Sequence, residues 1–244
     1  GCLRACNGCG KRIRVKFPLF LAHGMPEPRP RAAVSSPTLV RLLSRVANLD
    51  PPSPPALADR LTDWIDWPRG IALYTALLAP PDQAAGPCFD QAVDDECLRA
   101  RAGLEARIAE SRAWMPPKQA TDELPDGAAF RKHYVGLQRD IQVVTGRLRG
   151  RLRDMLSTAG MTRLAEVDAV MERVLSPREL TLLSRVPDIL QAHFERLGSA
   201  GASPAWLDAF RRDMQEALQA ELDVRFQPIE GLLAALRTSS QKTP

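Results

Sequence analysis

Three cysteines near the start carry the most suggestive spacing in the chain. Cys2, Cys6 and Cys9 read Cys-x3-Cys-x2-Cys, the arrangement in which three thiolates hold an iron–sulfur cluster and leave one iron open for a radical-SAM cofactor. That chemistry needs a β/α barrel behind the motif, and strand-type runs of Val, Ile, Thr and Tyr are absent. A zinc site fares no better, because His23 alone stands near enough to be a fourth ligand. Without its structural context the spacing reads as coincidence, and no cofactor or metal is expected.

The remaining nucleophiles and ligands are sparse. Di-iron bundles place Glu-x-x-His on facing helices. Three residues before His133 and His193 stand Phe130 and Leu190, so that motif is missing and both histidines are expected at the boundary or surface. Cys88 and Cys97 read as reduced thiols, with Cys97 a small core residue lacking the His and Asn partners of a nucleophile. No catalytic residue is assigned.

Charge offers one candidate contact. Arg147, Arg149, Arg151 and Arg153 form the densest basic run of the body. On a helix Arg147 and Arg151 share one line, and Arg149 and Arg153 another. They could meet phosphates or an acidic protein partner; the alternative is a solvated face paired with acids such as Asp140 and Asp154. No aromatics interleave with them for base stacking, which argues against nucleic acid; a nucleic-acid contact would use this run together with Arg211-Arg212. Trp64, Trp67, Trp114 and Trp206 fall at helix ends or faces and suit packing. Trp67, just before Pro68, is the one candidate for an exposed contact.

Long helices must position these residues. Phe130, Tyr134, Leu137, Ile141, Val144, Leu148, Leu152 and Met155 follow steps of 4, 3, 4, 3, 4, 4 and 3, one face of a helix with at most a weak coiled-coil twist. Ala159-Gly160-Met161 predicts a tight turn with a left-handed glycine, and Thr162 a cap for the returning helix. That helix carries Leu164, Val167, Met171 and Val174. At Ser176-Pro177-Arg178-Glu179 a capping-box pattern predicts a new helix or a kink, and Pro187 a second bend. Leu182, Val186, Leu190, Phe194 and Leu197 continue the stripe. Residues 198–203 form a second turn before a helix bearing Leu207, Phe210, Met214, Leu218, Leu222, Ile229, Leu232 and Leu236, which Pro228 kinks or splits. Thus Phe130 to Arg237 reads as three long helices.

The earlier chain predicts a helix from Ser36-Pro37 to about Asn48, with Leu39, Leu42, Leu43 and Val46 inward. A second runs to about Trp67, a third carries Ile71, Tyr74, Leu77 and Leu78, and a fourth, long one spans Asp90 to Trp114. The expected fold class is all-α: an elongated antiparallel bundle of about four long helices at 88–237, capped by short helices at 36–80, with no β-sheet and a disordered tail at 238–244.

Residues 1–24 differ from the rest. They hold Arg4, Lys11, Arg12, Arg14 and Lys16, no acid, and three of the five cysteines, and the first methionine is Met25. These features predict Met25 as the natural start and residues 1–35 as a disordered or non-native leader. Taking five basic residues from 33 leaves 28 against 29 acidic ones, a net charge of −1. The basic balance of the whole chain is then no signal for nucleic acid. The apolar run from Phe17 to Ala22 contains Pro18 and falls short of a secretory core of about 7–15 residues. No stretch approaches the ~18 apolar residues of a membrane span, and the body is expected in the cytoplasm.

The strings PTLVRLLSRV, ADRLTDWIDW, LAEVDAVMERVL and AWLDAFRRDMQEALQAELDVRFQPIEGLLAALR resemble an uncharacterised, proteobacterial domain-of-unknown-function family, over about residues 36–237. The resemblance implies a helical protein linked to a cell-envelope system and carries over no catalytic residues. The functional expectation is a helical protein–protein interaction protein, an adaptor or scaffold, with a protein partner or a second copy of itself. The alternatives are a small-molecule or enzymatic pocket between cap and bundle, and a weak nucleic-acid contact through Arg147 to Arg153.

Overall fold

A computed structural model describes residues 38–50, 57–79, 90–111, 126–200 and 205–241. These residues form eight α-helices and no strand: α1 (Thr38–Ala47), α2 (Leu57–Trp64), α3 (Trp67–Leu78), α4 (Gln91–Ser111), α5 (Gly127–Thr158), α6 (Thr162–Leu183), α7 (Val186–Ala200) and α8 (Ala205–Gln241). The protein is all-α, as its periodicities predict. The Cys2, Cys6 and Cys9 motif, the expected leader, His23, Cys88 and Trp114 lie outside the described residues. Every described helix falls within one unit, Ser36–Pro244. Among the described residues, no helix is long and apolar enough to cross a membrane.

Aspartates start three of the helices. Asp66 Oδ1 accepts the Arg69 amide at 3.0 Å, Asp90 Oδ1 that of Ala92 at 2.9 Å, and Asp126 Oδ1 that of Ala128 at 2.9 Å. Each bond satisfies an amide with no helical partner and sets negative charge at the positive helix end. The Asp66 cap also places Trp67 at the start of α3, so α2 ends at Trp64 rather than at the Trp67 expected from sequence.

The turn from α5 to α6 depends on Gly160, whose φ of 76° lies in the left-handed region. Gly160 N–H donates to Ser157 O at 3.1 Å and Met161 N–H to Leu156 O at 2.8 Å, the paired bonds of a Schellman turn. Thr162, expected as a cap, is instead the first residue of α6. Met161 holds the cap position without a side-chain bond and packs on the core.

Neither Pro177 nor Pro228 begins a new helix. Helix α6 runs on through Pro177. Its ring lies on the exposed side, where the carbonyl left without an amide donor can be hydrated. The break comes at Ser184-Arg185 instead. Leu182 is 62 % exposed there, while Leu183 and Val186 turn inward. Pro187 then sits in the first turn of α7, where its missing amide costs little. The stretch from Phe130 to Arg237 therefore holds four helices rather than three. Pro228 lies inside α8, which stays helical to Gln241, beyond the Thr238 boundary expected from sequence.

Ion pairs give the helix directions. Arg107 meets Asp140 and Arg151 meets Glu96, so α4 and α5 run antiparallel. Arg101 with Glu230 and Arg237 with Asp94 set α4 antiparallel to α8. Helix α5 is the centre, packing on α4, α6, α7 and α8. Its stripe is buried at Phe130, Tyr134, Leu137, Ile141, Leu148 and Leu152, while Val144 and Met155 are half-buried and Thr145 and Leu156 are buried beside them. A straight helix drifts off a seven-residue repeat, so the buried line shifts by one position. Helix α1 lays Leu39, Leu42 and Val46 on α7 and α8, and α3 lies on α6.

Candidate functional site

Helix α3 is apolar nearly all round. Its sequence WPRGIALYTALL carries one charge, Arg69, which Asp66 pairs at 2.6 Å. Ala76 is buried, and the helix packs on α6. At about 100° per residue, Trp67, Ile71, Tyr74 and Leu78 fall in one narrow sector on the face opposite Ala76. They are 81 %, 49 %, 64 % and 63 % exposed, and Leu77 beside them is 47 % exposed. A helix that is apolar all round belongs in an interior; this one is covered on one side only. Trp67 was the residue singled out in sequence. The other three were missed as outward-facing, because the alanines that anchor the opposite face give a weak hydrophobic signal.

The four arginines of α5 divide between its two neighbours. Arg149 binds Asp168 through two guanidinium nitrogens, at 2.9 and 2.7 Å, with side chains only 14 % and 11 % exposed. Arg153 reaches Asp168 at 3.2 Å and also binds Glu172. On the other side Arg151 binds Glu96, and Arg147, 70 % exposed, lies 3.9 Å from the same carboxylate. The run thus ties α5 to α6 and α4. Its partners are Glu96, Asp168 and Glu172 rather than Asp140 and Asp154; Asp140 is taken by Arg107.

A buried polar cluster escaped the sequence reading. Glu221 has no exposed surface. Its Oε2 accepts from Tyr134 Oη at 3.1 Å and from Gln138 Nε2 at 3.0 Å, and its Oε1 from Arg225 Nε at 3.1 Å. Arg225 also meets Glu179 at 2.8 Å. Burial pushes the Glu221 carboxyl above its ordinary value, against the opposing pull of Gln138, Arg225 and Tyr134. Burial likewise lifts the Tyr134 phenol well up, helped by the neighbouring Glu221 charge. The signal was present: Leu218, Glu221, Arg225 and Ile229 step by 3, 4 and 4 along one face of α8.

Two clefts flank these groups. One, of about 170 Å³, lies between α5, α6 and α8 and is lined by Gln142, Arg149, Glu172, Glu179 and Arg225. Both arginines already bond acids, so the cleft presents matched charge. The second, of about 510 Å³, lies between α4 and α5 beside Arg107, His133 and Asp140. Burial, then the Arg107 charge, lowers the His133 pKa. Neither cleft draws a lining residue from α1, α2 or α3, where a pocket was expected to have one wall.

His193 is buried, where a boundary or surface position was expected. Its Nε2 lies 2.8 Å from Asp213 Oδ2, and Arg196 donates to its Nδ1 at 3.1 Å. Asp213 also holds Arg45 of α1 at 3.0 Å, so the group clamps α1, α7 and α8. Cys97 is buried, and burial with the Glu96 and Asp94 charges raises its thiol pKa, which disfavours the reactive thiolate. Among the described residues no group of His, Cys, Asp and Glu is placed to hold a metal ion.

A family model described as protein of unknown function (DUF3348) matches residues 25–238. Neither a curated protein nor a solved structure matches the chain.

Proposed function

We propose, for a chain that belongs to the DUF3348 family of unknown function, that it is a helical protein–protein interaction module docking through the outer face of α3. The observation that carries this reading is the uncovered row Trp67, Ile71, Tyr74 and Leu78 on a helix anchored by its other face. Covering apolar surface is favourable by about 25 cal/mol per Å², and contiguous exposed patches of this kind mark contact sites. Adaptor or scaffold work in the cytoplasm is the setting we infer from the chain's long stripes and near-neutral body, and the link to a cell-envelope system is what the family resemblance implies. The arginine row suits a partner contact less well, because its charge is matched by Glu96, Asp168 and Glu172.

The test is an affinity capture with the tagged full chain and with its Ile71→Asp/Tyr74→Asp variant, in a lysate of the cells that make it. The wild type is expected to retain a stoichiometric protein, or untagged copies of itself, that the variant does not. Identical captures from both would end this reading.

A further inference from the structure

We infer that the outer face of α3 pairs with the same face of a second copy, as an antiparallel two-fold helix pair. This deepens the docking reading above and rests on it. The steps between Trp67, Ile71, Tyr74 and Leu78 are 4, 3 and 4, and that order is the same read in either direction. A two-fold axis at the midpoint of the row therefore sets Trp67 against Leu78 of the other copy and Ile71 against Tyr74. Every outward apolar residue meets another, as an isologous interface requires. Size is complementary too, since the large indole opposes Leu78 with Leu77 beside it.

Charge places no obstacle in the way. Arg69 is the only charged residue in α3, and Asp66 of the same chain pairs it. Two copies can close on each other without bringing like charges together, and antiparallel helix dipoles favour the arrangement. The area is sufficient. With side chains of about 150–250 Å² each, the exposed fractions of Trp67, Ile71, Tyr74, Leu77 and Leu78 amount to roughly 600 Å² per copy. Complete cover of both faces would remove up to about 1,200 Å² from water, which reaches the lower bound of a standard stable interface. The roughly 600 Å² on each copy is also at the upper limit of the apolar patch a monomer leaves uncovered.

The experiment is sedimentation equilibrium of the full chain from about 1 to about 100 µM, a range that spans typical dimer affinities. The wild type is expected to be dimeric at the upper end. Ile71→Lys and Tyr74→Asp chains, each alone, should shift the midpoint by roughly 100-fold or more, because a charge enters the centre of the contact. Helicity should be unchanged, and so should melting at concentrations where the wild type is monomeric, since both side chains are exposed in the single chain. Mixing the two variants should restore a dimer, because the antiparallel register sets the new lysine against the new aspartate. A wild-type dimer unaffected by either substitution would overturn α3 as the face, and failure of the mixture to recover would overturn the register. A wild type that stays monomeric throughout would overturn self-pairing. In that case a heterologous protein captured only by the wild type leaves the docking reading standing, and its absence removes both.

Discussion

Tyr134→Phe isolates one bond of the buried cluster. The substitution keeps a ring that is 1 % exposed and removes the donor to Glu221 Oε2. Gln138 and Arg225 remain on the carboxylate. A hydrogen bond to a charged group contributes about 1.5–3 kcal/mol, so the variant should lose about 2 kcal/mol at neutral pH. In a chain of this size that lowers the melting temperature by roughly 4–8 °C. The pH dependence is the sharper test. Burial raises the folded pKa of Glu221, so the folded chain binds this proton more tightly than the unfolded one. Ionisation of Glu221 therefore opposes folding as pH climbs from the ordinary carboxylate value through the folded pKa. The Tyr134 hydroxyl offsets part of that by favouring the carboxylate, and its removal raises the folded pKa further. The deficit of Tyr134→Phe is thus largest above the titration of Glu221. Below it, the phenol faces a neutral carboxyl and the bond is worth about 1 kcal/mol. Urea unfolding followed by circular dichroism, at neutral pH and near the ordinary carboxylate value, reads this directly. In a Glu221→Gln background the deficit should also fall to about 1 kcal/mol. An equal deficit at both pH values and in both backgrounds would refute the claim that Tyr134 donates to a buried, ionised carboxylate.

Two contrasting pairs of outcomes follow from the packing. Arg149→Met should destabilise by about 2 kcal/mol in urea unfolding, because it leaves the little-exposed Asp168 short of its two-point partner; Arg147→Met should stay within about 0.5 kcal/mol, its carboxylate being 3.9 Å away across an exposed surface. Gly127→Ala would set a Cβ 2.7 Å from Gln191 Nε2 and 2.9 Å from a Phe194 ring carbon, and calorimetry should show a loss of about 1–2 kcal/mol. Gly150→Ala, with nothing within 4 Å of the new methyl group, should instead gain about 0.5–1 kcal/mol from helix propensity.

The helices were legible because their stripes are long. Eight apolar residues of α5 at steps of three and four leave no other period, and Gly160 marked its turn without ambiguity. The break between α6 and α7 was misplaced for a physical reason. Pro177 is the strongest local punctuation in that segment, yet its ring lies on the exposed side and the helix carries on. The actual break at Ser184-Arg185 arises because Leu183 and Val186 must both face inward, a demand of tertiary packing that no single residue announces. The candidate docking face was half legible. Trp67 stood out by type, but Ile71, Tyr74, Leu77 and Leu78 read only as the stripe of a short helix, since period alone gives a face and not the side the core occupies. Glu221 and Arg225 were overlooked for the converse reason: charged residues on an apolar line are easily taken for solvent-facing neighbours.

Helix α1 has its partners at the far end of the chain. Arg45 bonds Asp213 at 3.0 Å and Glu216 at 2.7 Å, across sequence separations of 168 and 171 residues. At ribosomal rates of about 5–20 residues per second, roughly 10–30 s pass between the synthesis of α1 and that of the α8 surface it needs. Through that interval Leu39, Leu42 and Val46 have no α7 or α8 to cover them. The first of the described helices to leave the ribosome is therefore among the last of them to be housed, and its apolar side needs a chaperone through that interval.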